Sequence, residues 1–266
     1  MQAFVADKQF RIGDGGYSSV YVGLMKDGTE VAVKKMIVQK CDEIAENERE
    51  IMNLIKTCDS PFIVSYRHFH RDDTFIYLIL DLCEETLREL VHASSIEHVQ
   101  EHGPRMIKEI LIGLEFLHGK GILHRDLKPS NVLASIEGRM KLADFGISRV
   151  LKDDETAVET DAKGTDGWLP TEVIEAVEKK EKCLFKKKSD VQVAGMIAFF
   201  ILTKGEHPFG SRLEQMKNIL KGNSVNLKKL GDRKARKFVS WLISQRIDKR
   251  PYAHEALKDF FIKKNY

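Results

Sequence analysis

A two-lobed α+β fold, with a small five-stranded β lobe carrying one helix and a larger, mainly helical lobe, is predicted by three observations. Up to about residue 81 the apolar residues alternate as strands do, interrupted by one stretch of helical spacing. From Glu85 onward helical spacing takes over, broken by Gly and Pro at Gly119, Gly121, Gly205 and Pro208. No internal repeat or low-complexity segment suggests another arrangement. The implied division is residues 1–81, a connector at 82–84 and residues 85–266.

In the small lobe, "FRIGDGGYSSVYVGLMKDGTEVAVKKM" reads as three strands, with Asp27-Gly28 as a tight hairpin between the second and third. Helical spacing of Ile44, Ile51, Leu54 and Ile55 predicts a helix over about 42–56. "FIVSYRHFH" and "TFIYLILDLC" supply two more strands around an Arg71-Asp72-Asp73 turn. In the large lobe, helices are predicted at about 101–119, 190–204, 211–222, 234–245 and 253–260, with a short hairpin at Glu137-Gly138.

Composition narrows the function classes. The chain has 266 residues, a net charge of +3, 42% hydrophobic and 31% charged residues, so neither nucleic acid nor an anionic membrane is demanded. Cys41, Cys58, Cys83 and Cys183 are scattered without a C-x-x-C pair and read as reduced thiols. "MQAFVADKQF" lacks the apolar stretch of a signal peptide, and "VQVAGMIAFFIL" (191–202) is too short to span a bilayer and predicts a buried helix. The basic run "KKEKCLFKKK" (179–188) is read as a solvated insertion loop, and His98 with His102 as a surface pair lacking a third metal ligand.

The chemistry-bearing motifs come in order along the chain. "GDGGYSSV" (13–20) is a glycine-rich turn through which backbone N–H groups can approach phosphate oxygens. A strand follows it, not a helix, and G-K-[S/T] is absent, so it is neither a dinucleotide fingerprint nor a Walker loop. "VAVKK" places Lys34 on the next strand, and Glu46, Glu48 and Glu50 compete as its carboxylate partner. Glu50 is favoured because Leu54 lies one turn on, turning both inward. "ILHRDLKPSNVL" (122–133) concentrates three basic groups, Asp126 and Asn131 between apolar ends, and "LADFG" (142–146) follows.

The ordered set of lid, lysine, His124-Arg125-Asp126 loop, Asp144-Phe145-Gly146 and closing "DKRP" resembles the eukaryotic protein kinase domain over nearly the whole chain. Lys128-Pro129 matches the serine/threonine type. The resemblance implies a bilobal kinase fold, ATP and Mg²⁺ as cofactors, and a protein hydroxyl as phosphoryl acceptor. It assigns Lys34, held by Glu50, to the α/β-phosphates, Asp126 to the incoming hydroxyl and Lys128 to the γ-phosphate. Asn131 and Asp144 are assigned to the metal. Ile12, Gly13, Gly15, Gly16, Ser18 and Val20 would form the lid side of the nucleotide site. Ala32, Leu80 as gatekeeper, Asp81 and Cys83 in the hinge (with Leu82 between them) and Leu133 would enclose adenine. Leu54, His124 and Phe145 would stack as a spine anchored by Asp190, and Glu172 would pair with Arg250.

Two departures stand out. Ser18 replaces the third lid glycine, and Pro170-Thr171-Glu172 replaces Ala-Pro-Glu, which changes the peptide-docking segment and leaves the phosphate chemistry untouched. "GTDGW", "HPFG" and "YLILDLCEETL" are most similar to the kinase domain of the unfolded-protein-response sensor kinase/endoribonucleases and their relative ribonuclease L. The sequence leaves no room after the last predicted helix for a ribonuclease domain, so nuclease activity is not expected to be carried over to this segment. That resemblance implies a homodimer, a cytoplasmic domain or the cytosolic face of a membrane-anchored parent, with no membrane contact from this segment and no nucleic-acid partner. Thr156 or Thr160 in the activation segment (144–172) is expected to be autophosphorylated and read by Arg125; Thr165 is expected to be a fixed hydroxyl bonded to Asp126 and Lys128. The alternative is a dimerising nucleotide-binding scaffold with weak turnover. A small-molecule phosphotransferase is disfavoured by Lys128-Pro129, Phe145-Gly146 and the Glu172/Arg250 pair.

Overall fold

The structure, a computed structural model, describes residues 3–4, 8–15, 18–55, 60–152 and 155–263. One antiparallel sheet forms the small lobe: β1 (Ala3–Phe4), β2 (Arg11–Asp14), β3 (Ser18–Met25), β4 (Glu30–Ile37), β5 (Tyr66–Arg71) and β6 (Phe75–Asp81). The five predicted strands are present, and two-residue β1 adds a sixth at the edge of β3. Their order is β1-β3-β4-β6-β5, with β2 also on β3. The turn at Asp27-Gly28 is closed by the Gly28 N–H donating to Met25 O, with Gly28 at φ +85° as the tight reversal requires. Helix α1 (Val38–Ile55) starts four residues earlier than the periodicity suggests, directly from β4.

The large lobe is built from β7 (Glu85–Thr86), α2 (Leu87–Ala93), α3 (Ile96–Gly119), β8 (Ile122–Leu123), β9 (Val132–Ala134), β10 (Met140–Leu142), β11 (Arg149–Val150) and β12 (Val158–Thr160). It continues with α4 (Thr171–Lys179), β13 (Cys183–Phe185), α5 (Lys187–Leu202), α6 (Gln215–Lys221), α7 (Arg233–Leu242), α8 (Ala253–Ala256) and α9 (Phe260–Lys263). Helix α5 is the axis, with every residue from Ser189 to Leu202 buried. Each large apolar side chain fully buried there contributes roughly 1.5–3 kcal/mol. Gly195 lets α7 press against it, since a Cβ there would lie 2.6 Å from Leu242 Cβ. No described helix is long and apolar enough to cross a membrane.

The lobes share one apolar core. Ile51, Met52, Ile55 and Ile63 from the small-lobe side join the cluster of α3, α5 and Phe145. The Val64 N–H donates to Leu142 O, and the Leu142 N–H to Phe62 O, so the chain entering β5 is stitched to β10.

The basic run is not a solvated loop throughout. Its middle, Cys183–Phe185, is β13, paired antiparallel with β12 of the activation segment, with Cys183 and Phe185 buried and Leu184 exposed. The lysines on either side remain at the surface or half-buried. His98 and His102 are in ring contact, 4.4 Å between centroids, and no metal-competent cluster of His, Cys, Asp or Glu occurs among the described residues.

Glu172 and Arg250 form a two-pronged pair at 3.1 and 3.0 Å. Arg250 is 1% exposed and also donates to the carbonyls of Ser244, Gln245 and Lys188. Glu172→Gln strands that guanidinium and is expected to cost about 3–5 kcal/mol, or roughly 6–15 °C in melting temperature. The double change Glu172→Leu/Arg250→Met should cost less than Glu172→Gln alone. Equal melting temperatures for wild type and Glu172→Gln would contradict the pairing.

His207 is buried against Trp168, 5.1 Å between rings, and its Nδ1 accepts from the Phe209 N–H. Burial lowers its pKa from 6.5 to about 4. The unfolded chain therefore takes up a proton near pH 6.5 that the folded chain refuses until about pH 4. Stability falls across that window, by up to about 3 kcal/mol from this residue. Melting curves at pH 7 and 5 should show His207→Gln with a flatter pH slope than wild type. His124, also lowered by burial, keeps its share of the slope; indistinguishable slopes would refute the assignment to His207.

Candidate active site

Strand register places the small-lobe residues on one face. Val20 pairs with Lys34 and Lys34 with Leu78, while Ala32 pairs with Leu80, so Val20, Ala32, Lys34 and Leu80 share the inner surface of the sheet. Gly13 lies opposite Val20, and the Gly15 N–H donates to Ser18 O, closing the lid turn. A Cβ on Gly15 would meet Ser18 Oγ at 2.8 Å, so the serine has taken space that the turn leaves only beside a glycine. Ile12 sits on the exposed edge of the lid, and Gly16 lies outside the described residues.

Behind the sheet, Asp81 accepts from Arg67 Nε at 2.6 Å and faces Lys141 Nζ of β10 at 3.7 Å. Its carboxylate thus ties β5 and the large lobe together, while the Asp81 N–H donates to Ser65 O. Leu133 pairs with Lys141 on the same β9–β10 face. Leu80 is half-buried and touches both the shared core and the small-lobe core.

Lys34 Nζ lies 2.7 Å from Glu48 Oε2 and 2.9 Å from Asp144 Oδ1. The partner is Glu48, not Glu50. Two residues on an α-helix are 200° apart, so with Glu48 buried at 1% exposure Glu50 points to solvent. The same rotation removes Leu54 from the spine: it is 53% exposed, while Met52, four residues after Glu48, is buried with Phe145 in the shared core. The inward stripe is Cys41, Ala45, Glu48, Met52 and Ile55, a run of alternating four- and three-residue steps already present in the sequence.

Burial pulls the Lys34 ammonium down, but the charges of Asp144 and Glu48 outweigh it and leave its pKa above the ordinary lysine value. Burial pushes the Glu48 carboxyl up, against the lysine charge. The lysine beside Asp144 holds that carboxyl down to about 2, so Asp144 is ionised at neutral pH. Its side chain is 43% exposed, open to the cleft where Lys34 and Glu48 are not. Asp144 and Arg125 both hold positive φ, 67° and 71°, backbone conformations that non-glycine residues rarely adopt.

Asp126 is the hub of the second cluster. Its carboxylate accepts from Lys128 Nζ at 2.8 Å, Thr165 Oγ1 at 2.8 Å and Asn131 Nδ2 at 3.1 Å. Lys128 also donates to Thr165 Oγ1 at 2.7 Å, which gives this threonine the fixed place its position in the sequence suggests. Asn131 spends its amide nitrogen on Asp126, leaving its amide oxygen as the end available to a cation. The loop is held from below by Asp190, whose carboxylate accepts the backbone N–H groups of His124 and Arg125 and the His118 Nε2–H, each at 3.0 Å. His124 lies 5.1 Å from the Phe145 ring, and its Nε2–H donates to Ala143 O.

Sequence reasoning missed Asn47. Its amide nitrogen donates to the carbonyls of Phe145 (3.1 Å), Gly146 (3.1 Å) and Ser148 (3.2 Å), and its oxygen accepts from Arg149. The residue next to Glu48 thus clamps the start of the activation segment to α1; only the inward face of α1 could have pointed to it. Thr171 anchors the departing triplet: its N–H donates to Gln192 Oε1, and Gln192 Nε2 donates back to its hydroxyl.

A β lobe and a helical lobe, with a lysine–carboxylate triad and an Asp–Lys–Asn–Thr cluster meeting between them, define a phosphotransferase of the kinase type. The chain belongs to the protein kinase domain family, whose profile matches residues 7–262. It is 34% identical over 230 residues to the serine/threonine-protein kinase/endoribonuclease IRE1 of Oryza sativa subsp. japonica, covering 79% of this chain and 25% of that one. The probable serine/threonine-protein kinase ireA of Dictyostelium discoideum is 31% identical over 274 residues, covering 91% and 26%. The endoribonuclease-coupled kinase ire-1 of Caenorhabditis elegans is 31% identical over 242 residues, covering 87% and 24%. The chain spans about a quarter of the length of these curated relatives.

Proposed function

We propose that this domain is a serine/threonine protein kinase that uses ATP with Mg²⁺ and phosphorylates its own activation segment between two copies of the chain. The observation that carries the reading is the triad in which Lys34 sits between Glu48 and the cleft-exposed Asp144. Asp144 and Asn131 offer the hard oxygen donors that suit Mg²⁺, and a metal bound there would neutralise phosphate charge. Lys34 would hold the α/β-phosphates, with Gly13, Gly15 and Ser18 covering them. Asp126 would orient the acceptor hydroxyl and take its proton, and Lys128 would balance charge on the transferring group. The γ-phosphorus then bonds the acceptor oxygen as its bond to the β-bridging oxygen breaks, releasing ADP. Val20, Ala32, Leu80, Leu133 and the backbone of Asp81 and Cys83 would hold adenine.

The relatives' names carry the serine/threonine class. Cys41, Cys83 and Cys183 are thiols outside any disulfide among the described residues, which fits a reducing cytosolic setting, whether the domain stands alone or forms the cytosolic face of a larger protein. Incubation with labelled ATP, Mg²⁺ and a generic basic peptide tests the proposal. Label in protein or peptide, lost in Asp144→Asn, is expected; tight nucleotide binding without label would select the scaffold reading.

A further inference from the structure

The nearly balanced charge of the whole chain, on which no membrane contact is expected, hides an uneven distribution. Residues 212–266 carry 15 Lys and Arg against 5 Asp and Glu, and the other residues 28 against 35. Basic groups gathered in one part of a chain can present a face to anionic partners whatever the net charge.

The excess gathers on and around α7. Ala235, Phe238, Val239 and Leu242 turn inward, and Arg233, Lys234, Lys237, Ser240 and Trp241 are exposed on the opposite side. The start of α9 adjoins them, with Lys234 Nζ 4.4 Å from the centre of the Phe260 ring. A groove of about 640 Å³ brings Lys237 and Trp241 together with Lys249, alongside Ser240, Ser244 and Asp259. Phe260 is 55% exposed and Trp241 37%, so two large rings stand at the surface among ammonium groups. Lys229, Arg246 and Arg250 are paired with carboxylates. Arg233, Lys234, Lys237, Lys249, Lys258 and Lys263 have no carboxylate partner among the described residues. Asp259 is engaged by the Phe261 N–H.

We propose that this face of the large lobe is a peripheral contact for an anionic bilayer, with Arg233, Lys234, Lys237 and Lys249 at the lipid phosphates and Trp241 and Phe260 in the headgroup layer. Exposed Trp and Phe flanked by lysines suit that boundary: the rings leave water while the ammonium groups stay at the charged surface. Single-stranded nucleic acid fits less well. Lys234 covers one face of the Phe260 ring that a base would stack on. Five of the six unpaired cations are lysines, point charges without the planar fork that grips a phosphate on two sides.

Co-sedimentation of the full chain with vesicles tests the contact without calling on kinase activity. Vesicles of phosphatidylcholine with about 30% phosphatidylserine should bind at least tenfold more tightly than phosphatidylcholine alone, and added salt should release the protein. Each lysine removed should weaken binding by about fivefold, so K234Q/K237Q/K249Q should lose about 10²-fold and the triple arginine variant should keep it. K179Q/K180Q/K182Q removes the same charge from another exposed site and should lose less than about threefold. Phosphatidylcholine brominated on its acyl chains, mixed with phosphatidylserine, should quench wild-type fluorescence and leave Trp241→Phe unquenched. Equal binding to both vesicle types, equal losses in the two glutamine triples, or quenching that persists in Trp241→Phe overturns the proposal. Binding of poly(U) that depends on the same lysines, without binding to the anionic vesicles, overturns it in favour of a nucleic-acid surface.

Discussion

Asp126→Asn is expected to slow phosphoryl transfer by about 10³-fold while nucleotide still binds. The amide is nearly isosteric and keeps one oxygen for Lys128 and Asn131 while its nitrogen can donate to Thr165 Oγ1, but it does not take up the acceptor's proton. The loss should therefore fall on kcat, with KM for ATP within about threefold of wild type. Thr165→Val serves as the control for orientation alone, because it removes one hydrogen bond to the same carboxylate and leaves the base in place. A milder loss there, of about tenfold, would separate holding Asp126 from its chemistry. Equal losses in the two variants would mean that the carboxylate matters only for the shape of the loop.

The second large effect separates two neighbouring acids. Glu48→Gln removes the buried half of the ion pair on Lys34 and leaves that ammonium to Asp144 alone, the group proposed to serve the metal. Without its buried partner Lys34 is no longer held in place for phosphate, and kcat/KM is expected to fall by about 10²-fold, equivalent to about 3 kcal/mol of transition-state stabilisation. Glu50→Gln, on the solvent face, should stay within twofold of wild type. The reverse ranking would mean that α1 sits about 200° from its described orientation, and would take Met52 and Asn47 out of their places with it.

That contrast shows where the sequence speaks and where it does not. The strands, the Asp27-Gly28 hairpin, the buried α5 and the spacing from His124 to Asn131 are legible because each rests on local chemistry: alternation, turn residues, or charge that apolar ends cannot hold without partners. The face of α1 is not settled locally. Acids fall on both sides of the helix, and the stripe through Ile44, Ile51, Leu54 and Ile55 competes with the one through Cys41, Ala45, Glu48, Met52 and Ile55. Only contact with Lys34 and Phe145 decides between them.

Other misses left a signal. Thr86 and Glu89 form a reciprocal capping box, the Thr-x-x-Glu mark of the start of α2. The buried–exposed–buried order of Cys183, Leu184 and Phe185 is a strand pattern hidden by the flanking lysines. The β12–β13 pairing itself joins residues more than twenty positions apart, and no short window contains it. Asn47 belongs to the same class: its three carbonyl acceptors lie about a hundred residues away.

The most direct test of the central claim is a crystal structure of this domain with Mg²⁺ and a non-hydrolysable ATP analogue. The account predicts the metal on the Asp144 carboxylate and the Asn131 amide oxygen at about 2.1 Å. It also predicts Lys34 on the α/β-phosphates with Glu48 still behind it, and adenine against Ala32 and Leu133. Clear density for the analogue elsewhere on the protein with this cleft empty, or Lys34 turned away from bound phosphates, would contradict it.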